Sequence, residues 1–294
     1  MAHRYVATIS TPGGPAPAVV RDGLVHLIPG VRSVRAMLEE GFDVWLDRVD
    51  AGAIDEGIPL AEVTLLAPVP DPPNLYMVGA NYADHLREMR RLGPQDPVAP
   101  TAGGPFFFLK PTTTLIGDGA VVEIGEGVTK LDWEIELAAV IGRRAHRVAA
   151  SDALEHVAAY TIINDVSARD RFVREGADPH FTFDWLSQKG WATSCPAGPW
   201  LLPARDCPSP ANLALKLSVS GETMQDSNTS QMLYSLEEQI EALSALLPLV
   251  PGDIVSTGTC AGVGAGRGRF LAPGDVMRAE IEGIGVLTNS VEEA

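Results

Sequence analysis

Short apolar runs separated by polar turns open the chain. Their alternation predicts strands over residues 5–9, 18–21 and 24–28, with Asp22 and Gly23 as a hairpin turn between the last two. Apolar positions then recur at helical spacing. We expect one helix over residues 34–40, capped by Ser33 and ended by Gly41, and a second over residues 43–49.

A proline-rich stretch at residues 67–73 follows these elements. Four of its seven residues are proline, so it fits neither a helix nor a central strand. A length of 294 residues is compatible with one large domain or two unequal domains. We therefore predict a small α+β domain over residues 1–70 and a second domain over residues 71–294.

Strands dominate the predicted second domain. The pattern indicates strands over residues 132–142, 160–163, 213–220, 253–256, 275–282 and 285–291. Helices are expected over residues 81–92, capped by Asn81, over residues 153–159, and from a capping box at Ser235 and Glu238 to about Leu247. Because strands outnumber helices and do not alternate with them, the class is α+β and β-rich, a roll or barrel rather than a doubly wound sheet.

Net charge and cysteine content limit the partners and the cellular location expected for the protein. The net charge of -16 repels phosphate backbones, so we expect no nucleic-acid partner, although a bound dication would still allow an anionic substrate. Three cysteines without a paired spacing fit a reduced, cytoplasmic location and behave as small apolar residues. We expect no signal peptide, because the N-terminus lacks a long apolar segment, and no membrane span, because no apolar run reaches about 18 residues.

Two glutamates stand close together in the predicted strand 132–142. On a strand Glu134 and Glu136 point to one face, which turns apolar at Ala138 and Val140. Neighbouring carboxylates on such a face repel each other unless a cation lies between them. Oxygen ligands suit Mg²⁺, Mn²⁺ or Ca²⁺. This segment leaves open the alternative of an exposed edge strand with two solvated glutamates.

A third carboxylate, Asp165, follows the apolar run 160–163. A strand end is a common place for a site residue, although an Asx-turn or a helix cap also explains an aspartate there. Together with Glu134 and Glu136, it would complete a three-oxygen metal site that keeps positions open for water or substrate.

A histidine and a glutamate share one face of the predicted helix 81–92. His85 and Glu88 are i,i+3 neighbours, and a carboxylate that holds one imidazole nitrogen orients the other as a general base. Taken alone, this weak pattern is explained better by an ordinary charged surface helix than by a catalytic pair. Lys189 lies between Trp185 and Trp191, where it would either stabilise developing negative charge or extend to solvent.

The glycine string 262–268 is expected to be a mobile loop, with Arg267 and Arg269 facing a bound anion.

Seven motifs in order resemble the fumarylacetoacetate hydrolase family, from about Tyr76 to Val291. They are GANYADH at 79–85 with Glu88, FLKP at 108–111, DWEIELA at 132–138, NDVSARD at 164–170, GETMQDSNT at 221–229, PGDIVSTGT at 251–259 and EGIG at 282–285. Each motif is modest evidence, and the ordered set is specific.

The resemblance implies a mixed β-roll catalytic domain, usually dimeric, with a smaller N-terminal domain. It implies Mg²⁺ or Mn²⁺ held by Glu134, Glu136 and Asp165. It also implies catalytic and substrate-contacting residues; these are His85 and Glu88 as a dyad, Lys189 near the metal, and Arg169, Thr193 and Thr259 at the substrate.

Three positions depart from the family pattern. Phe172 stands where several hydrolases have a glutamine that contacts substrate, Ala192 where many members have aspartate, and Cys260 where proline is usual. The first two put the substrate in doubt and leave the metal triad intact. The segment 173–186 is longer than in minimal members and is expected to build an aromatic wall of the site.

These residues lead to a functional hypothesis. The chain is expected to be a divalent-metal-dependent hydrolase that cleaves a carbon–carbon bond in a β-diketo acid such as an acylpyruvate, with the metal stabilising the enolate. One alternative is a decarboxylase, tautomerase, isomerase or hydratase of oxo-acids on the same metal site. A second alternative is a non-catalytic module that only dimerises or binds a metabolite.

Overall fold

Two β-sheets enclose the main apolar core, and helices cover the outer face of the larger sheet. The computed structural model describes residues 4–52, 56–207 and 209–294. Its strands in chain order are β1 (Tyr5–Thr11), β2 (Gly14–Arg21), β3 (Leu24–Leu27), β4 (Ile58–Pro59), β5 (Leu75–Gly79), β6 (Phe106–Leu109), β7 (Leu115–Ile116), β8 (Val122–Ile124), β9 (Leu131–Asp132), β10 (Ile135–Ile141), β11 (Val157–Asn164), β12 (Ser167–Ala168), β13 (Cys195–Pro203), β14 (Ala214–Val219), β15 (Glu222–Asn228), β16 (Ile254–Ser256), β17 (Val276–Ile281) and β18 (Gly285–Glu293).

Helices are fewer and mostly short. The α-helices are α1 (Val34–Glu40), α2 (Phe42–Ala51), α3 (Ala83–Arg90), α4 (Trp185–Lys189), α5 (Leu236–Leu246) and α6 (Gly264–Arg267). The 3₁₀ helices are Leu60–Glu62, Thr112–Thr114, Ala150–His156, Arg169–Arg171, Pro179–Phe181, Ala204–Asp206 and Thr229–Gln231. In the described parts of the chain, no helix is long and apolar enough to cross a bilayer.

The larger sheet mixes parallel and antiparallel pairs. Its order is β4-β3-β2-β1-β13-β11-β10-β16-β5-β6, with β7 beside β13. The smaller sheet runs β15-β14-β17-β18-β8, and β9 pairs with β12. β5 with β16, β7 with β13 and β8 with β18 are parallel, and the remaining pairs of named strands are antiparallel. The predicted β-rich α+β class and mixed roll are confirmed.

Strand β10 lies in the middle of the larger sheet with both faces buried. Leu137 and Ala139 join the core shared with the smaller sheet, where Leu217 also packs. Ala138 and Val140 face the opposite core beneath α1 and α2. The alternation expected for this segment is therefore present. Because β11 and β16 flank β10, the alternative of an exposed edge strand is wrong.

The N-terminal segment continues the larger sheet. β1 pairs with β13, Val6 opposite Leu201, and Tyr5 stacks on Trp200 with ring centroids 4.7 Å apart. The Ser33 hydroxyl caps α1 by accepting from the Ala36 amide at 3.1 Å, as the pattern predicts. Helices α1 and α2 bury their apolar faces against the strands of both segments. The division into domains 1–70 and 71–294 stays a prediction.

Asn81 is not the cap of the following helix. Helix α3 begins at Ala83 and ends at Arg90, and Arg91 then takes a left-handed conformation with φ 54°. The Asn81 amide instead donates to the carbonyl of Thr257 at 2.9 Å and accepts from the amide of Tyr234 at 2.9 Å. The Asn81 side chain, which the sequence pattern assigned to capping the helix, therefore forms tertiary hydrogen bonds instead.

The predicted helix 153–159 is present only in part, because the helix is of the 3₁₀ type, begins earlier and ends at His156. The chain forms a 3₁₀ helix over Ala150–His156 and then enters β11 at Val157. Residues 157–164 pair with both β10 and β13, and this pairing outweighs the local helical pattern. By contrast, the capping box is confirmed. The Ser235 hydroxyl accepts from the Glu238 amide at 3.3 Å, and the Glu238 carboxylate accepts from the Ser235 amide at 2.8 Å.

The predicted strand 132–142 is interrupted at Trp133 and Glu134, between β9 and β10. Side-chain oxygens accept from the two backbone amides at this break, while the Glu134 carbonyl still accepts from the Asp165 amide at 2.9 Å. The Glu134 amide donates to the side-chain oxygen of Asn164 at 2.8 Å, and the Ile135 amide donates to that of Gln225 at 3.0 Å. The break places Glu134 at the entrance of β10 rather than within it.

Candidate active site

Three buried carboxylates meet where β10 and β11 lie side by side. Glu134 precedes β10, Glu136 lies within it, and Asp165 follows β11. One oxygen atom from each lies within 4.8 Å of the others, and the three residues are at most 5 % exposed. The structure therefore brings together the three residues that the sequence assigned to the metal.

Two lysines compensate part of this charge. The Lys189 ammonium donates to Glu134 at 2.7 Å and to Asp165 at 2.6 Å, so it faces the site rather than solvent. The Lys110 ammonium donates to the other oxygen of Asp165 at 2.6 Å and to the carbonyl of Val166 at 3.1 Å. Lys110 was not predicted as a site residue, although the FLKP motif contained it. Its role becomes visible only when β6 lies beside the triad.

The three carboxylates differ in their affinity for protons. Burial alone would raise the pKa of Glu134, but Lys189 and Arg169 outweigh it and hold that pKa well below its usual range. Burial raises the pKa of Glu136 well above its usual value, and the charges of Asp165 and Glu134 raise it further. The charged form of Glu136 is therefore destabilised, and it would be neutralised by a bound proton or stabilised by a metal ion.

The donor set fits a hard divalent cation. It offers three buried carboxylates, and Glu136 is fixed in orientation by the Ser256 hydroxyl at 2.5 Å and the Gly258 amide at 3.0 Å. Mg²⁺ and Mn²⁺ prefer such oxygen ligands and retain positions for water or substrate. Glu134, Glu136 and Asp165 are the residues that would hold the ion.

His85 and Glu88 form a pair on α3 beside the triad. His85 Nδ1 lies 3.5 Å from Glu88 Oε2, and within the described structure this buried nitrogen has no hydrogen bond of good geometry. Burial would raise the pKa of Glu88, but His85 and the Gly262 amide outweigh it and lower that pKa. Glu88 therefore stays charged, and Nδ1 directed toward it leaves Nε2 as the nitrogen able to take a proton.

The glycine string supports this pair. The Gly262 amide donates to both carboxylate oxygens of Glu88 at 3.1 Å. A Cβ at Gly262, whose φ is 102°, would lie 2.0 Å from the Met224 carbonyl oxygen, and one at Gly266 would lie 2.6 Å from the Glu88 carboxylate. These glycines are needed for the close approach of the chain.

Arg267 in the glycine string and Arg269 just after it are bound by groups of the protein rather than left facing a ligand anion. Within this segment, which was expected to be a mobile loop, Gly264–Arg267 form the short helix α6. The Arg267 guanidinium donates to the carbonyl of Met224 at 2.5 Å, and Arg269 pairs with Glu222. Protein groups already hold both arginines, which explains why the expectation was wrong.

Asp132 organises the site from behind, a role that the sequence did not reveal. Its carboxylate accepts from the amides of Gly264 at 2.5 Å and Ala265 at 3.0 Å, and from the Arg169 guanidinium at 2.8 Å. Arg169 then donates to Glu134. Asp132 therefore fixes an arginine that fixes a predicted metal ligand.

The residues expected at the substrate occupy different places. Arg169 and Thr259 line the cavity above the triad. The Thr259 hydroxyl donates to the carbonyl of Ile135 at 2.9 Å and accepts from Gln225 at 2.8 Å. The Thr193 hydroxyl accepts from the Glu123 amide at 2.9 Å and lies outside the lining of the cavity. The structure therefore does not bring Thr193 together with the others.

The cavity has a volume of about 430 Å³, and its lining combines buried charged side chains with aromatic rings, which meet where Lys189 Nζ lies 5.4 Å from the Phe108 ring centroid. The triad, Lys189, His85 and Arg169 form the inner end. Four aromatic side chains form the outer wall; these are Phe106, Phe108, Phe172 and Trp185. Of the longer segment 173–186, Trp185 contributes to this wall directly, and Phe183 stacks on the outer side of Phe172 at 4.9 Å.

Comparison with known proteins agrees with this site. The model of the fumarylacetoacetate (FAA) hydrolase C-terminal domain matches residues 74–292. The chain belongs to the fumarylacetoacetate hydrolase family.

Relatives in this family carry different activities. Mitochondrial oxaloacetate tautomerase FAHD2A of Bos taurus is 41 % identical over 237 residues, 80 % of this chain and 71 % of that protein. The structure of 2-hydroxyhepta-2,4-diene-1,7-dioate isomerase from Mycobacterium marinum is 32 % identical with a TM-score of 0.74, covering 99 % of this chain and 98 % of the other. Maleylpyruvate hydrolase from Sphingobium sp. SYK-6, in complex with manganese(II) ion and pyruvate, is 27 % identical with a TM-score of 0.78, covering 99 % of both chains.

These comparisons support a metal-dependent hydrolase or isomerase of the family. The buried triad and the manganese-bound neighbour together indicate a divalent-metal site. The names of the relatives divide between hydrolysis and isomerisation, so the family alone does not select the reaction.

Proposed function

We propose that this protein hydrolyses a carbon–carbon bond in a β-diketo acid of the acylpyruvate type. The observation that carries the proposal is the arrangement of the cavity. His85, with Glu88 behind it, and Lys189 border the same cavity as the carboxylate triad. A base, a cation and a metal site around one space are what water attack on such a substrate requires.

A divalent cation at the triad would polarise the 2-oxo and carboxylate oxygens and stabilise the departing enolate. His85 Nε2 takes a proton from water, and the water oxygen forms a bond to the distal carbonyl carbon. The carbon–carbon bond then breaks, its electron pair leaves with the pyruvate enolate, and the enolate takes up the proton that His85 Nε2 holds. Glu88 stabilises the charged imidazole, and Lys189 offsets negative charge near Glu134 and Asp165.

An ultraviolet assay tests this proposal. Metal-stripped protein is incubated with acylpyruvates or oxaloacetate, with and without Mg²⁺ or Mn²⁺, and the loss of enol absorbance is followed together with product analysis. We expect metal-dependent formation of pyruvate and a carboxylic acid. Decarboxylation with release of CO2, or tautomerisation without bond cleavage, would overturn hydrolysis and retain the metal site. A protein that binds no divalent metal would support the non-catalytic alternative.

Keto–enol tautomerisation of an oxo-acid is the second candidate. It is favoured by the 41 % identity to a protein named oxaloacetate tautomerase. Phe172, in the place of a glutamine that contacts substrate in several hydrolases, also removes one polar group from the cavity. This reaction needs proton transfer but no attacking water, so solvent deuterium exchange at the substrate without cleavage would identify it.

We further propose Mg²⁺ or Mn²⁺ as the physiological metal, a homodimer, and a cytoplasmic location. The homodimer rests on family resemblance, and light scattering on the purified protein tests it. Cys195, Cys207 and Cys260 are free, which fits a reducing compartment. Burial raises the pKa of the Cys195 thiol to about 12, so this cysteine is not expected to act as a nucleophile.

A further inference from the structure

The aromatic wall of the cavity indicates which acyl group the substrate carries, whereas the metal site would bind only its acid end. Building on the proposed function, we propose that the acyl group of the substrate is aromatic. The acid end would face the triad, and the aryl group would lie against Phe106, Phe108, Phe172 and Trp185.

These rings form one continuous surface. Trp185 lies at the centre, with its ring centroid 5.2 Å from Phe106, 5.2 Å from Phe108 and 4.8 Å from Phe172. Phe106 is 48 % exposed and Trp185 is 37 % exposed, although both line the cavity. Large apolar side chains that remain exposed beside a catalytic cavity provide area that a planar apolar ligand can cover.

Helix α4 contributes an aromatic, an amide and a charged side chain to the cavity. Trp185 and Gln188 are i,i+3 neighbours and both line the cavity, while Lys189 reaches the triad. Gln188 is 3 % exposed, and within the described structure its side-chain oxygen has no hydrogen-bond partner. A buried acceptor without a donor is costly, so a ligand hydroxyl that donates to this oxygen gains binding energy.

The order of groups along α4 matches an aroylpyruvate. The aromatic ring would contact Trp185, and the hydroxyl of the enol form of the diketo unit would donate to Gln188 Oε1. A small or charged acyl group would leave the aromatic wall exposed to water. A dicarboxylate such as oxaloacetate would place a second carboxylate near rings that offer it no hydrogen bond.

Selectivity between two substrates provides the test. We expect kcat/KM for benzoylpyruvate to exceed that for acetylpyruvate by about tenfold or more with Mg²⁺ present. The substitution Trp185→Ala should reduce this ratio to near one, whereas Trp185→Phe should retain most of it. The control Phe181→Ala removes an aromatic ring that is 68 % exposed and outside the cavity lining, and it should leave the ratio unchanged.

A second variant separates the contribution of the Gln188 amide to kcat/KM from that of the aromatic rings. Gln188→Leu should lower kcat/KM for both substrates by about tenfold and leave their ratio intact, because the amide meets the part that the substrates share. Calorimetric binding of benzoylpyruvate and acetylpyruvate to the Mg²⁺-loaded His85→Ala variant provides a readout without turnover. The same preference for the aryl compound is expected there.

The outcomes distinguish the two proposals. Binding of neither compound, with no turnover of either, would contradict the proposed function itself. Turnover of both compounds with equal efficiency, or an aryl preference that survives Trp185→Ala, would overturn the aromatic specificity and leave the proposed function standing.

Discussion

At the residue scale, Glu136 is the proposed metal ligand that lacks a cationic partner among the residues that the structure describes, since only the Ser256 hydroxyl and the Gly258 amide donate to it. Its pKa is raised by burial and by two neighbouring carboxylates, whereas Lys189 and Arg169 lower that of Glu134. The neutral substitution Glu136→Gln should weaken Mg²⁺ or Mn²⁺ binding by more than about 100-fold with little change in fold. Isothermal titration calorimetry measures the affinity. The control Glu280→Gln alters an exposed glutamate on β17, and equal affinity in both variants would exclude Glu136 as a ligand.

Asp132 should act on the metal without touching it. In Asp132→Asn the side-chain oxygen can still accept from the Gly264 amide, but the charge that holds Arg169 is lost. We expect metal affinity to fall by about 10- to 100-fold, as for other residues that orient ligands. Replacement of the same residue by Glu should restore part of the loss. Unchanged metal affinity in Asp132→Asn would show that Arg169 does not depend on Asp132 to orient Glu134.

The residues that sequence could identify are those with a local pattern. Glu134 and Glu136 stood out through their spacing on a strand, and His85 with Glu88 through their spacing on a helix. Asp132 gained its role from Gly264, which lies 132 positions away, and Glu88 its support from Gly262, 174 positions away. Separations of this size leave no periodic signal, so the charge network around the site became visible only in the fold.

At the element scale, helix α5 depends on its capping box. Ser235→Ala removes the hydroxyl that accepts from the Glu238 amide, and one helical N–H loses its partner. We expect the free energy of unfolding to fall by about 1 kcal/mol in urea titration, while Ser235→Thr retains nearly all of it. The helix packs Ile240 and Leu243 into the main core, so its loss would affect the whole molecule. Equal destabilisation by Ala and Thr would indicate a packing effect rather than lost capping.

The sequence pattern predicted the start of a helix correctly where the capping side chain lies next to that helix in sequence. The start of α1 at Ser33 and of α5 at Ser235 followed from side chains within three residues. The start of α3 did not, because Asn81 bonds to Thr257 and Tyr234 across the fold. Local capping rules therefore fail where a candidate cap belongs to a tertiary network.

At the scale of the whole molecule, the N-terminal segment and the catalytic part share one sheet and one core. β1 pairs with β13, and Val6, Met37 and Leu46 belong to the same apolar cluster as Ala138 and Ile163. An ion-pair group joins the two parts as well, since Arg205 lies 2.7 Å from Asp47. Removal of the segment would expose the edge of β13 and apolar surface beneath α1 and α2.

We therefore expect the full chain to unfold in a single thermal transition, with the same midpoint by far-ultraviolet circular dichroism and by tryptophan fluorescence. The fragment 71–294 should aggregate or lose its sharp transition, because β13 would present unpaired backbone groups and a stripped apolar face. The variant Arg205→Gln should lower the midpoint by no more than a few degrees, since it removes a partly exposed ion pair and leaves the sheet intact. A soluble fragment that keeps metal binding and its own cooperative transition would show that residues 71–294 fold independently, with residues 1–70 as a separate domain resting on them.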